Sequence, residues 1–357
     1  MNNIMKAYSA ARDAGCDAFI FTDGVNRRYL SGFSSSDGVL VVTDEGGRLL
    51  LDSRYIEMAQ RRFEAKMMRE SVTPISAKKG LLAALADEVA ANNIKSAAVD
   101  PKKMTLAEHR AFSDYLGIEL VPLGGVIENM RRVKSNEELE NIRAAQQLTE
   151  EAFSHILGFI TPDVTETETA AELEPYIRRR GGTLAFDTIC VSGINSSLPH
   201  GVPANVKLGK GFLTMDFGAA WNGYCSDMTR TVCIGQPTDE MKRVYDTVLE
   251  AQLTALDGIK AGVTGAQADS LARDVITDAG YGEFFGHSLG HSLGLEIHEA
   301  PNFSPSNELV IEAGTVMSVE PGIYIPGRFG VRIEDIVVLT EQGCEDLTRA
   351  PKELICL

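Results

Sequence analysis

Acidic side chains standing inside apolar runs constrain this chain more than any other feature. Residues 213–231, LTMDFGAAWNGYCSDMTRT, form two strand-like apolar runs around Asn222-Gly223, a strong hairpin signal, and each run carries one aspartate. Burying an unpaired carboxylate is costly. Asp216 and Asp227 therefore meet a cation if they face the interior. The alternative is a pair of turn or capping aspartates, which need none.

Three further clusters follow. Residues 285–299 (FGHSLGHSLGLEIHE) hold His287, His291 and His298. A spacing of four between His287 and His291 suits a zinc-binding helix. Yet Gly286, Gly290 and Gly294 disfavour a helix, and position 288 is serine, so no HExxH motif is present. An extended, glycine-relieved path fits better. Core packing is the plain alternative for any one of these histidines. Glu320 closes the apolar run Thr315–Glu320 just before a Pro321-Gly322 turn. The run Gly330–Leu339 reads as a strand in which Arg332 and Glu334 share one face. Taken alone, that pair could be a structural ion pair.

Asp216, Asp227, His291, Glu320 and Glu334 make four carboxylates and one imidazole. Gathered in one pocket, the carboxylates carry about four negative charges, which strongly oppose one another. Two divalent cations supply about +4 and cancel them, so the charge count prefers two ions to one. An oxygen-rich set with one histidine suits Mn²⁺, Co²⁺, Fe²⁺ or Zn²⁺ and not sulfur-selecting ions. Two such ions about 3.5–4 Å apart can hold a bridging hydroxide at neutral pH, which is a hydrolase centre.

The rest of the chain frames this centre. The 357 residues carry 34 Lys+Arg against 50 Asp+Glu, a net charge of −16, which disfavours nucleic acid as a partner. No basic-then-apolar leader opens the sequence, and no apolar run is long enough to span a bilayer, so no membrane role is expected. The six cysteines are scattered, as in a cytoplasmic protein with reduced thiols. Ala18–Thr22, Gly38–Thr43 and Arg48–Asp52 read as strands and Leu81–Ala91 as a helix, giving an α/β first domain with a mixed sheet. The boundary falls within Val121–Lys134, and domains of 1–127 and 128–357 are expected. Capping boxes at Ser135/Glu138 and Thr264/Gln267 open amphipathic helices, roughly Asn136–Phe159 and from Ala268 up to a C-cap at Gly280. With strand-like runs between and after these helices, including Gly211–Phe217 and Thr229–Ile234, the second domain reads as α+β.

The segments LTMDFGAAWNGYCSDMTRT, GHSLGHSLGLEIHE, SVEPGIY and GVRIED, in this order, resemble the M24 metallopeptidase family of Xaa-Pro aminopeptidases and prolidases. NRRYLSGFSSSDG (Asn26–Gly38) and DSRY (Asp52–Tyr55) resemble that family's N-terminal creatinase-like domain. The resemblance covers nearly the whole chain. It implies a pita-bread catalytic domain in which Asp216 and Asp227 bind one ion and Asp227, His291, Glu320 and Glu334 the other, with Asp227 and Glu334 bridging. Manganese is the first expectation for the metal. The resemblance further implies that His200 contacts substrate or shuttles protons, and that His298 bonds the scissile carbonyl or the oxyanion. His287 would support that network, Glu320 would act as general acid/base, and Arg332 would orient Glu334 or Asp216. Phe186 is a candidate wall of the proline pocket, with core packing as the alternative.

The expected substrate is a proline-containing peptide, and a homodimer is expected from the family. Dipeptide-specific members can carry an arginine in a pattern like HExPR, able to hold the substrate carboxylate. Here the pattern is His298-Glu-Ala-Pro-Asn302, without that charge. The expectation is therefore an Xaa-Pro aminopeptidase, with an Xaa-Pro dipeptidase as the alternative. A creatinase-like hydrolase would lack the carboxylate set. A methionine aminopeptidase would usually lack a full N-terminal domain. A metal-free pita-bread binding module would typically have lost ligands.

Overall fold

The computed structural model describes residues 2–357. The chain divides into two compact units, one ending at Met130 and the other running from Arg131 to Leu357.

The first unit is built on strands β1 (Ala18–Phe21), β2 (Val39–Thr43), β3 (Gly46–Leu51), β4 (Val72–Ser76), β5 (Ser96–Val99) and β6 (Glu119–Pro122). They form one sheet in the order β4-β3-β2-β1-β5-β6. β2 runs antiparallel to both neighbours and the other pairings are parallel, so the sheet is mixed, as the alternating apolar runs suggested. β1 and β2 are buried at every position, which is why they read as continuous apolar runs and not as alternating ones. Ile20, Val39, Val41 and Leu50 share a core with Leu85 and Val89 of the helix Leu81–Ala91.

The second unit carries β7 (Thr183–Leu184), β8 (Ile189–Ser192), β9 (Gly211–Phe217), β10 (Ala219–Trp221), β11 (Tyr224–Cys225) and β12 (Met228–Ile234). After its second pair of long helices come β13 (Gly290–Ser292), β14 (Glu299–Phe303), β15 (Val316–Val319), β16 (Gly322–Ile325), β17 (Phe329–Arg332), β18 (Asp335–Leu339) and β19 (Cys344–Asp346). The sheets are β12-β9-β8, β11-β10-β7, β14-β13-β15-β18-β19 and the hairpin β16-β17. Helices pack in pairs: Asn136–Leu157 with Glu166–Arg179, and Asp239–Gly258 with Gly265–Asp278. The first pair shares a core with Leu213, Met215 and Phe217 of β9; the second shares one with Phe212 of β9 and with Met317, Val331 and Val337. β9 alternates, so its odd residues enter one core while Thr214 and Asp216 face the other way. Both expected capping boxes form, and Gly280 takes φ 84° just beyond its helix.

Two local expectations need correction. Gly330–Leu339 is not one strand. β17 pairs with β16, while β18 pairs with β15 and β19, and the chain changes sheets at Ile333-Glu334. The change is held by Glu334 N–H donating to Thr229 O at 3.1 Å and by the Arg230 guanidinium donating to Glu334 O at 2.6 Å. The hairpin at Asn222-Gly223 does form, with φ of 43° and 71° as a type I′ turn requires. Its arms, however, are interrupted at Gly218 and at Ser226-Asp227, so Asp227 lies just before β12 and not within a strand.

Candidate active site

The polar ends of β9, β12, β13, β15 and β17 meet at one cleft of about 320 Å³. Its lining includes Phe186, His200, Asp216, Asp227, His287, His291, His298, Glu320, Arg332 and Glu334, together with Ile189, Pro199 and Asn302. Every site residue singled out from the sequence is thus at this cleft, although they span 149 positions of the chain, from 186 to 334.

Two glycines permit the approach. A Cβ at Gly218 would lie 2.0 Å from Ser226 O, and one at Gly290 would lie 2.0 Å from Ser318 O. The first contact draws Asp216 and Asp227 together; the second seats His291 against the strand leading to Glu320. Ligand atoms of Asp227, His291 and Glu334 all lie within 4.8 Å of one another. His291 Nε2 is 3.6 Å from Asp227 Oδ2 and 3.4 Å from Glu320 Oε1. His291 Nδ1 faces Ser292 O at 3.2 Å, which fixes its proton there and leaves the Nε2 lone pair for the cleft.

The carboxylates are individually braced. Arg332 donates to Asp216 Oδ2 at 2.5 Å, so of its two expected partners it orients Asp216. Glu334 Oε2 instead accepts from Thr229 Oγ1 at 2.6 Å, and Glu320 Oε1 accepts from Ser318 Oγ at 3.1 Å. Asp216 Oδ1 and Asp227 Oδ1 are buried without a hydrogen-bond partner. Orphaned anionic oxygens beside an available imidazole nitrogen are what hard divalent cations require, so the residues fit such ions. Without cations, burial and mutual repulsion push the acids up. Asp227 rises well above the usual range through burial and then through the charges of Glu334 and Asp216. Glu334 does so through burial and then Glu320 and Asp216, and burial takes Glu320 to about 7.

A hydrogen-bonded chain flanks the acids. Arg332 Nη1 donates to Tyr324 Oη at 2.8 Å, and Tyr324 Oη stands 3.0 Å from His287 Nε2. His287 Nδ1 faces Ser288 O at 2.9 Å. One proton order satisfies all three groups: Tyr324 O–H donates to His287, whose Nδ1–H donates to Ser288. Burial and then the Arg332 charge lower His287 to about 4, so it is neutral. With both nitrogens occupied, His287 is a supporting group here and not a free base. His200 and His298 are exposed at the cleft, and the His298 ring stands edge-on to His291 with centroids 4.4 Å apart.

Sequence reasoning missed the hydroxyls. Tyr324, Thr229 and Ser318 all sit in or beside the quoted motifs, but an uncharged side chain gives no signal until its partners are seen. It also missed the ion cluster behind His298. Glu299 accepts from Arg131 and from Lys134 Nζ at 3.3 Å, and Lys134 also donates to Ser292 Oγ at 3.1 Å.

Comparison with known proteins gives the family. Residues 140–341 match the model of metallopeptidase family M24, and residues 4–133 match the creatinase/prolidase N-terminal domain. The chain is similar to the Xaa-Pro dipeptidase of Bacillus anthracis, with a TM-score of 0.95, 41% identity and 99% of each chain covered. It is similar to the X-Pro aminopeptidase of Thermotoga maritima, with a TM-score of 0.90, 39% identity and 98% and 100% coverage. The Xaa-Pro dipeptidase of Pyrococcus horikoshii is 36% identical over 355 residues, covering 95% of this chain and 94% of the relative. The chain therefore belongs to metallopeptidase family M24, as a divalent-metal-dependent peptidase with an α+β pita-bread catalytic domain behind a creatinase-like N-terminal domain.

Proposed function

We propose that this chain is an Xaa-Pro dipeptidase, hydrolysing the bond between an N-terminal residue and proline. The observation that carries the reading is the convergence of four carboxylates and one imidazole, two of the acids with orphaned oxygens, in a cleft walled by Phe186. Similarity over nearly full length to two proteins named Xaa-Pro dipeptidases supports the dipeptide preference. The sequence reading put an aminopeptidase first because Asn302 stands where an arginine could hold a substrate carboxylate. The relatives favour the dipeptidase instead. The aminopeptidase stays as the second reading, because Asn302 does line the cleft and the Thermotoga maritima protein is a close match.

In this reading Asp216 and Asp227 would hold one ion, and Asp227, His291, Glu320 and Glu334 the other, with manganese the first candidate. The ions would polarise the scissile carbonyl and lower the pKa of water to about 7. Arg332 keeps Asp216 aimed, and Thr229 does the aiming for Glu334. Phe186, Ile189 and Pro199 offer an apolar wall to the proline ring. His298 donates to the carbonyl oxygen as charge develops on it, and His287 stiffens the flank through Tyr324. The peptide nitrogen of proline carries no N–H and must be protonated to leave, a step assigned to Glu320 or His200. The six cysteines are thiols and not disulfides, which supports a cytoplasmic setting, and a homodimer belongs to the same reading.

The test is a peptide panel after chelation and re-addition of Mn²⁺, Co²⁺ or Zn²⁺. Cleavage of Xaa-Pro dipeptides well above Xaa-Pro-Xaa tripeptides is expected. The reverse order gives the aminopeptidase, and no cleavage before proline rejects both.

A further inference from the structure

Glu166 opens the helix Glu166–Arg179 and is 0% exposed. Other deeply buried carboxylates face a cation, as Asp269 faces Arg273 and Asp335 faces Arg230 and Lys352, or stand in the metal cleft, as Glu334 does. Among the described residues no ion pair reaches Glu166. Its Oε1 accepts the Ser192 N–H at 2.6 Å, the Ser192 hydroxyl at 3.0 Å and Asn195 Nδ2 at 3.1 Å. Its Oε2 accepts the Ala204 N–H at 3.0 Å. The neighbouring N–H of Thr167 donates to Ala204 O at 3.2 Å and that of Glu166 to Val206 O at 3.1 Å. A carboxylate accepts at about four sites, and these four donors fill them.

Ser192 and Ala204 are the two ends of one loop, and both are pinned to this carboxylate. Between them lie Pro199 and His200, which line the cleft. Ser192 is also paired with Leu213 in the sheet, and Ser196, 1% exposed, packs closely on Gly330 of β17. Ile194, Leu198 and Val202 are 60%, 55% and 82% exposed, so these apolar side chains do not anchor the segment around Pro199 and His200. Between the two ends, Gly330 N–H donates to Ser196 Oγ at 2.9 Å and Arg332 Nη1 to Pro199 O at 3.3 Å.

We propose that Glu166 is a positioning residue, whose grip on both ends of the loop fixes where His200 stands at the cleft. The proposal rests on the Xaa-Pro reading, in which His200 meets the substrate.

The test is a double-mutant cycle of E166Q and H200A, with hydrogen exchange on the same proteins. Glutamine keeps the shape of Glu166 but turns an NH₂ toward groups that are themselves donors. E166Q is expected to lower kcat/KM on an Xaa-Pro substrate by about 10²-fold, the scale of a misplaced reacting group, with unchanged metal content. In the H200A background E166Q should add less than about twofold, since the two act as a unit. Exchange should rise across residues 192–204 and stay unchanged in the helix Gly265–Asp278. Additive losses, unchanged exchange in the loop, or wild-type turnover in H200A would each overturn the proposal. Should E166Q not fold, N195A removes donors from the same carboxylate, and a His200-dependent loss of about fivefold is expected. A wild-type protein that cleaves no Xaa-Pro bond rejects the functional reading separately, and loop exchange then decides whether Glu166 anchors the loop.

Discussion

Replacing Glu299 with alanine should destabilise the second unit by about 3–5 kcal/mol at pH 7, and the loss should shrink as the pH rises. Glu299 is the meeting point of two buried cations. Arg131 and Lys134 both donate to it, with side chains only 3% and 1% exposed. In the variant, Arg131 keeps Glu296 Oε2 at 3.0 Å. Lys134 keeps only neutral oxygens in contact, Ser292 Oγ at 3.1 Å and Arg132 O at 3.5 Å. A buried ammonium left without its anion accounts for the size of the effect. Lys134 can escape by releasing its proton. From an ordinary lysine pKa near 10.4, that release costs at most about 4.6 kcal/mol at pH 7 and about 2 kcal/mol at pH 9. Burial already holds Lys134 below the usual lysine range even with Glu299 beside it. In the variant the folded lysine is neutral and the unfolded one charged. The unfolded state then binds the extra proton, and stability rises with pH. The gap to the wild type should therefore narrow between pH 7 and 9, by up to about 1.4 kcal/mol per pH unit. Trp221 is the only tryptophan and lies in β10 of the second unit, so urea unfolding followed by its fluorescence reads that unit directly. A loss below about 1 kcal/mol, or a gap that does not move with pH, would refute the reasoning.

Other expectations concern the cleft itself. Asp227→Asn should lower both bound metal, read by elemental analysis, and turnover; full metal with full turnover would remove Asp227 as a bridge. His298→Ala should keep the metal and cut kcat by about 10²–10³-fold, and an unchanged kcat would take His298 out of the mechanism. The metal-free protein should lose stability as pH rises from about 5 to 8, because Asp227, Glu320 and Glu334 hold protons in the folded state that they release when unfolded. Cation binding should then release protons, so calorimetry in two buffers of different ionisation heat should give different apparent enthalpies. Equal enthalpies would contradict raised acids in the free site.

The sequence made the candidate ligands legible because a carboxylate inside an apolar run is a chemical anomaly. Asp216 between Met215 and Phe217, and Glu334 beside Ile333, need a cation or a donor wherever the chain folds. Helix starts were legible for a similar local reason: Ser135 and Thr264 each satisfy backbone donors three residues on. What failed was tertiary. Nothing in the apolar run Gly330–Leu339 signals that it leaves one sheet for another, because both halves are equally buried. Glu166 and Glu299 carry no local anomaly either. One follows a helix cap and the other a histidine, and their importance comes from donors at Ser192, Ala204, Arg131 and Lys134 that only the fold supplies. The partner chosen by Arg332 was likewise left between Glu334 and Asp216, since geometry alone decides it.

Anomalous diffraction from a manganese-loaded crystal tests the account at its centre. Two peaks about 3.5–4 Å apart, touching Asp216, Asp227, His291, Glu320 and Glu334, are predicted. A cleft with those five side chains in place and no peak among them would contradict it.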